Sequence, residues 1–230
     1  MKLLNSNYKL KKALNKGIMQ MGVEMLPFTF GGGENLCKYA NKSCIDVCVQ
    51  QAGHSSIPAV YNTRLKRTQL FNKDNVEFLR LLVNEINYYS GIYSNLTIRP
   101  NVFSEIQWKD IYYEGKNLFQ WCENVTFLDY VKNPKSVYLN IPNYFTLYSG
   151  QINTKHIWLK LLKDSKPVAL VFNKVPEEYE GFKVVNGDED DYIIKYKNQS
   201  VIVGLKYKQV IKKGVKNSEL LKNNKLVIQL

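Results

Sequence analysis

Three of the four cysteines, Cys37, Cys44 and Cys48, fall within twelve positions, separated by six and then three residues, while Cys122 stands alone. Thiolates are soft, electron-rich ligands, so three of them on one short segment in a reducing compartment suit a metal centre before they suit disulfides. An iron–sulfur cluster accepts such a set, and three ligands leave one iron of a cubane cluster open to a substrate or cofactor. Zinc wants a fourth ligand, for which His54 is the nearest candidate. The third alternative is plain thiols: free cysteine packs as a small hydrophobe, and Cys44 and Cys48, at i and i+4, then face a core from one helix. Residue types and spacing leave all three open.

A second group of candidates lies at strand ends. Arg99 and Asn101, with Ser104 and Glu105, close one apolar run, and Asp129 and Lys132 close the next. In a parallel α/β fold these ends face one crevice, where an arginine binds carboxylate or phosphate through paired hydrogen bonds and Asp129 orients a hydroxyl or ammonium. A salt-bridged strand end is the competing explanation. Tyr130 reads as packing. The acidic run Asp188, Glu189, Asp190, Asp191 reads as a solvated turn after Gly187, with a metal or ribose contact as the alternative. The two histidines, His54 and His156, have no nucleophile elbow beside them. The absence of a phosphate loop, a dinucleotide fingerprint and an H-E-x-x-H pair excludes P-loop, nicotinamide and zincin chemistry.

Positioning these residues requires alternating strands and helices. Val23 to Phe30 reads as a first strand, weakened by Pro27 and ended by Gly31, Gly32 and Gly33, with the cysteine segment immediately after. The glycines turn the chain, since glycine tolerates positive φ. Two helical stretches follow between Ala59 and Tyr89. In the second, Val76, Leu79, Leu82, Val83 and Ile86 keep helical spacing, and Asn72 or Asp74 is placed to cap it. Strands are expected at Leu96 to Phe103, Val125 to Val131, Tyr144 to Tyr148, Val168 to Phe172 and Val201 to Lys206. Helices are expected from Ser104 to Trp121 and from about Asn153 to Lys163. Between Glu177 and Asp191 runs a shorter acidic excursion. The stretch from Lys206 to Lys225, with seven lysines and one acid, Glu219, reads as a solvated arm.

The 230 residues are 45% apolar and 13% aromatic, which excludes disorder for the bulk of the chain and favours one large domain. Lys plus Arg at 32 against Asp plus Glu at 20 gives +12, which favours polyanions. No apolar run approaches a membrane span, and Met1 to Lys12 is polar and lysine-rich without an apolar signal core, so a cytoplasmic protein is expected. The sequons at Asn41, Asn95, Asn124 and Asn198 are accordingly read as chance. Arg64, Lys66 and Arg67, the C-terminal Lys206, Lys208, Lys212, Lys213 and Lys216, and 16 tyrosines available for stacking make nucleic acid or a nucleotide the natural partner to consider.

The chain resembles an uncharacterised group of bacteriophage-encoded proteins that are in turn similar to compact radical S-adenosylmethionine (radical SAM) enzymes. The resemblance runs from about Leu26 to Lys208. It rests on Asn35-Leu36-Cys37 with Tyr39-Ala40, Cys44, Cys48 and Ala52-Gly53, on Arg99 to Trp108, on Phe127 to Lys132, and on Val185 to Asp188 with Val201 to Lys206. It implies a partial (β/α) barrel with the cysteine loop after its first strand, and Cys37, Cys44 and Cys48 holding a [4Fe-4S] cluster whose open iron chelates S-adenosylmethionine. The six-and-three spacing departs from that family's usual three and two, and Val47 stands where an aromatic is usual. Gly32-Gly33-Glu34 precedes the cysteines, whereas the family's amino-binding motif follows them, so that role is not transferred.

The resulting expectation is a single α/β domain with a largely parallel sheet at 23–208, between a basic N-terminal segment at 1–22 and a lysine-rich segment at 209–230. Cys37, Cys44 and Cys48 are the expected metal ligands, and Arg99, Asn101, Asp129 and Lys132 the crevice residues. The competing expectation is a non-enzymatic nucleic-acid-binding protein holding zinc or no metal.

Overall fold

The computed structural model describes residues 1–212 and 214–230; Lys213, counted above among the basic residues, lies outside the described residues. A ten-stranded, mostly parallel sheet organises them. Its strands are β1 (Leu4–Asn5), β2 (Met19–Val23), β3 (Leu96–Arg99), β4 (Thr126–Val131), β5 (Tyr144–Ser149), β6 (Val168–Phe172), β7 (Glu178–Tyr179), β8 (Phe182–Asn186), β9 (Ile202–Lys206) and β10 (Val227–Ile228). The order is β1-β2-β3-β4-β5-β6-β9-β8-β7, with β10 paired to β6 off that path. The pairs β2–β3, β3–β4, β5–β6, β6–β9 and β8–β9 are parallel. The short outer pairs β1–β2 and β7–β8 are antiparallel. Thus β2, β3, β4, β5 and β6 are neighbours in the order in which the chain makes them, and right-handed crossovers between them step the same way; the order inverts once after β6, where β9 lies inside the earlier β8.

The helices are α1 (Tyr8–Lys11), α2 (Lys42–Asp46), α3 (Pro58–Lys73), α4 (Asn75–Ser90), α5 (Leu118–Trp121), α6 (Lys155–Lys163) and α7 (Asn217–Leu221). Among the described residues no helix is long and apolar enough to cross a membrane. The chain folds into two compact units, one of residues 1–38, 57–129 and 140–145, the other of 39–56, 130–139 and 146–230.

In the first unit, registers Met21↔Ile98 and Ile98↔Phe127 put these side chains on one sheet face. Leu79, Leu82, Val83 and Ile86 of α4 pack in the same core. The helical spacing read from the sequence is therefore a buried stripe, except that Val76 is exposed. Asp74 supplies the cap, accepting from the Glu77 N–H at 2.9 Å. In the second unit, Trp158, Leu161 and Leu162 of α6 cover Val168, Leu170 and Phe172 of β6 and Ile202 of β9.

Several elements differ from expectation. The first long strand is Met19–Val23, not Val23 to Phe30. Met25 and Leu26 are fully buried but not paired as a strand; the Leu26 N–H donates instead to Thr68 Oγ1 at 2.8 Å. Apolar runs report burial before they report strand. Gly32 and Gly33 do take positive φ, 71° and 78°. No helix spans Ser104 to Trp121: only a 3-10 turn at Trp108–Asp110 and the four-residue α5 form, separated by Gly115 at φ 76° and a Tyr113–Lys116 bridge. The acidic excursion folds as the β7–β8 hairpin. The lysine-rich stretch is built into the fold: Val210 bridges Ala52, and the later α7 leads to β10.

Candidate functional site

In the first unit a polar knot forms where β3 ends. Pro100 follows Arg99, and Asn101 then turns its side chain inward, 3% exposed. Its Oδ1 accepts from Ser104 Oγ (2.9 Å), the Ile106 N–H (2.9 Å) and Trp108 Nε1 (3.2 Å). Its Nδ2 donates to the Ile106 carbonyl (3.1 Å) and to Asp129 Oδ2 (3.0 Å). An amide offering both acceptor and donors can hold a loop this way, which is why the segment after Asn101 is anchored rather than helical.

Asp129, near the end of β4, is fully buried. It accepts from the Asn101 N–H, from Asn101 Nδ2 and from the Tyr144 hydroxyl, each at 3.0 Å. Burial pushes its carboxyl up to about 7, against the opposing pull of Arg99 and of the donors on Asn101 and Tyr144. Burial and then the adjacent Asp129 charge drive the Tyr144 phenol well above its ordinary range. Arg99 is itself buried, as are Ser104 and Glu105, whose N–H donates to the Leu36 carbonyl at 2.7 Å. Three of the predicted crevice residues, Arg99, Asn101 and Asp129, thus meet in one electrostatic network. Tyr144 and Trp108 belong to it as well. Neither was singled out from the sequence; the available signal was that Tyr144 opens a predicted strand beside Asp129's.

A second buried network occupies the end of β2. Glu24 Oε2 receives Arg64 Nε at 3.0 Å and Nη2 at 2.6 Å, with side chains 3% and 6% exposed. Asn7 Nδ2 donates to Glu24 Oε1 at 3.0 Å, and Arg67 donates to the Glu24 and Lys2 carbonyls. Arg64 also lies 4.2 Å from the centroid of the Phe103 ring. Burial alone would raise the Glu24 pKa, but the Arg64 charge and the bonds from Asn7 and Arg64 hold it below the usual carboxylate range. This corrects the expectation of a basic patch: Arg64 and Arg67 point inward to a carboxylate and carbonyls, and Lys66 alone of the three is exposed.

In the second unit, Lys132 Nζ donates to the Ser149 carbonyl (3.0 Å) and hydroxyl (2.9 Å), tying the carboxyl ends of β4 and β5 together. The Tyr130 hydroxyl reaches Asp191 at 3.4 Å. The acidic run is not all solvated: Asp190 and Asp191 are buried, and Lys195 Nζ donates to both Asp190 carboxylate oxygens at 3.1 and 2.9 Å. At the carboxyl ends of β6, β8 and β9 a cavity of about 560 Å³ is lined by Lys174, Glu177, Asn186, Asp188 and Lys206.

Each cysteine has a defined local setting. Cys37, in the first unit, donates its thiol to the Phe103 carbonyl at 3.3 Å. In the second unit, Asn41 caps α2 by accepting from the Cys44 N–H at 3.1 Å, and Cys44 packs against the cluster of Val47, Leu226 and Val227. Cys48 lies beyond the end of α2 and opens a 3-10 turn at Val49–Gln51, so the two do not share one helix. Cys122 is buried in the first unit, and burial pushes its thiol up to about 12. Among the described residues, no three His, Cys, Asp or Glu side chains are grouped to hold a metal ion.

No curated protein and no solved structure matches the chain. A family model does, the one described as Gene product 88, over residues 1–220. With nearly its whole length matched, the chain belongs to the Gene product 88 family.

Proposed function

We propose that the chain is a phage-type radical SAM-like protein built on a partial (β/α) barrel. The observation that carries this reading is the strand order: β2, β3, β4, β5 and β6 are neighbours in chain order, with the three-cysteine segment in the connection between β2 and β3. Sequential parallel strands are the topology of (β/α) barrels, whereas doubly wound sheets reverse direction at a switch point. Within the first unit, polar side chains at the carboxyl ends of β3 and β4, Arg99, Asn101 and Asp129, agree with a ligand-binding face there.

The donor set suits an iron–sulfur cluster in kind, three thiols in twelve residues. Each thiol has local partners: in the first unit Cys37 donates to the Phe103 carbonyl, and in the second Cys44 packs among apolar side chains. Uptake of a cluster therefore requires Cys37 and Cys44 to give up these contacts. S-adenosylmethionine at such a cluster supplies radical hydrogen abstraction, chemistry that is the cofactor's own. The protein's share, on this reading, is Arg99 as a cation for a carboxylate or phosphate and Asp129 holding Asn101 and Tyr144 in place.

Anaerobic reconstitution with iron and sulfide tests the proposal. A brown protein absorbing near about 400 nm is expected, with iron falling sharply in Cys44→Ala. Absence of bound iron, or iron unchanged by that substitution, refutes it. A second reading, nucleic-acid binding with zinc or no metal, is favoured by one observation: Lys206, Lys208, Lys212, Lys216, Lys222 and Lys225 are all exposed. It calls for stoichiometric zinc or none, and for nucleic-acid affinity that falls steeply with salt.

A further inference from the structure

We infer that residues 207–212 and 214–228 form a strap that sets the exposure of Cys44 and Cys48. Every bond in this account lies within the second unit. At the near end, Val210 makes an antiparallel bridge to Ala52, and the Ile211 N–H donates to the Gln51 carbonyl at 2.7 Å. Gln51 passes the tether to α2, its Nε2 donating to the Ile45 carbonyl at 3.1 Å. Asn217 pins this part of the strap to itself: its Oδ1 accepts from the Val210 N–H and its Nδ2 donates to the Val210 carbonyl, both at 3.0 Å.

At the far end, Asn224 is buried and donates from Nδ2 to the Ser43 carbonyl at 2.9 Å, while the Lys225 N–H donates to Ser43 Oγ at 3.0 Å. Ser43 immediately precedes Cys44. Asn224 Oδ1 accepts from the Leu226 and Val227 N–H groups at 2.8 and 3.2 Å, which aims those side chains at Val47 and Cys44. The strap is then fastened to the sheet as β10, with Val227↔Val171 and Ile228↔Phe172. Hydrogen bonds thus bracket the cysteine pair at Ser43 on one side and at Gln51 and Ala52 on the other, and Leu226 and Val227 pack an apolar lid against Cys44. Releasing one bracket lets the segment open locally while the rest of the fold stays intact.

The inference stands without the cluster reading, and its test uses thiol alkylation, which needs no metal. The full chain, reduced and metal-free, is labelled with iodoacetamide, and the rate at each cysteine is read by peptide mass spectrometry for wild type, Asn224→Ala and Asn217→Ala. Losing the Ser43 bond and the two Asn224 acceptor bonds is expected to speed labelling of Cys44 and Cys48 about tenfold, with Asn217→Ala acting in the same direction more weakly. Cys37, held by Phe103, and Cys122, buried in the first unit, keep their wild-type rates and report the integrity of the rest. Unchanged rates at Cys44 and Cys48 in both variants would overturn the inference, as would a rise shared equally by Cys122, since that marks unfolding of the whole chain.

Discussion

Glu24→Gln removes a carboxylate that faces two buried guanidinium groups, Arg64 and Arg67. In the native protein Arg64 reaches Glu24 Oε2 through two nitrogens, at 3.0 and 2.6 Å, and Arg67 lies against the backbone carbonyls of Glu24 and Lys2. Glutamine keeps the size and the carbonyl acceptor but leaves Arg64 and Arg67 buried without this counter-charge. Breaking a buried pair in this way costs about 3–5 kcal/mol, a large part of the roughly 5–15 kcal/mol that holds a domain together. Urea unfolding followed by tryptophan fluorescence, with the fully buried Trp108 as a reporter, reads the loss as a lower midpoint at unchanged slope. The double substitution Glu24→Leu with Arg64→Met is expected to recover most of the loss, because an apolar pair of similar volume carries no desolvation penalty. Acid provides a parallel check. The folded-state pKa of Glu24 is depressed, so its contribution is present above the ordinary carboxylate value of about 4.3 and disappears as pH falls through the lower, folded value. A Glu24→Gln protein within about 1 kcal/mol of wild type at neutral pH would refute the assignment of this pair as the keystone of the β2 end.

Three further outcomes follow from other buried groups. Asp129 is held near 7 by burial, so its folded form keeps a proton that the unfolded chain releases near about 4; stability from this group therefore falls as pH rises from about 4 to 7. Midpoints across that range should decline in wild type relative to Asp129→Asn, and parallel curves would contradict the burial argument. Gln20 is fully buried on β2, and neither its Oε1 nor its Nε2 has a hydrogen-bond partner among the described residues. Gln20→Met is thus expected to stabilise by about 1–3 kcal/mol in thermal or urea melts; a loss of stability would show that the amide holds a polar guest. A Cβ on Gly187 would come within 2.5 Å of Val203 Cγ1 and 2.8 Å of Leu205 Cδ2, so Gly187→Ala should cost about 1–3 kcal/mol in the same melts, with an unchanged midpoint counting against the packing.

Periodicity made the regular elements legible. Val168–Phe172 is the strand read from its five apolar residues, and α4 buries the stripe that the spacing of Leu79, Leu82, Val83 and Ile86 predicts. The largely parallel sheet follows from the alternation of such elements. What pattern could not show was side chains substituting for backbone structure. The stretch after Asn101 looks amphipathic, yet one amide accepts three hydrogen bonds and anchors it as a loop. Likewise α3 turns Arg64 and Arg67 inward, since a carboxylate forty residues away in sequence at Glu24 was invisible to local charge counting. The seven lysines of the C-terminal stretch suggested a solvated arm through their charge; Asn217 and Asn224, which fasten the backbone, carry no charge to announce themselves. Of the predicted site, Arg99, Asn101 and Asp129 converge, while each cysteine is engaged locally.

The knot at Asn101 also limits how the family can diversify. An aspartate there would keep the acceptor for Ser104, Ile106 and Trp108 but would lose both amide donors and set a second negative charge against Asp129. A leucine would leave the Trp108 indole and the Asp129 carboxylate stranded in the interior. Neither position can drift alone, so lineages that change one should have changed the other in the same evolutionary step, and the two letters ought to be inherited as a couple.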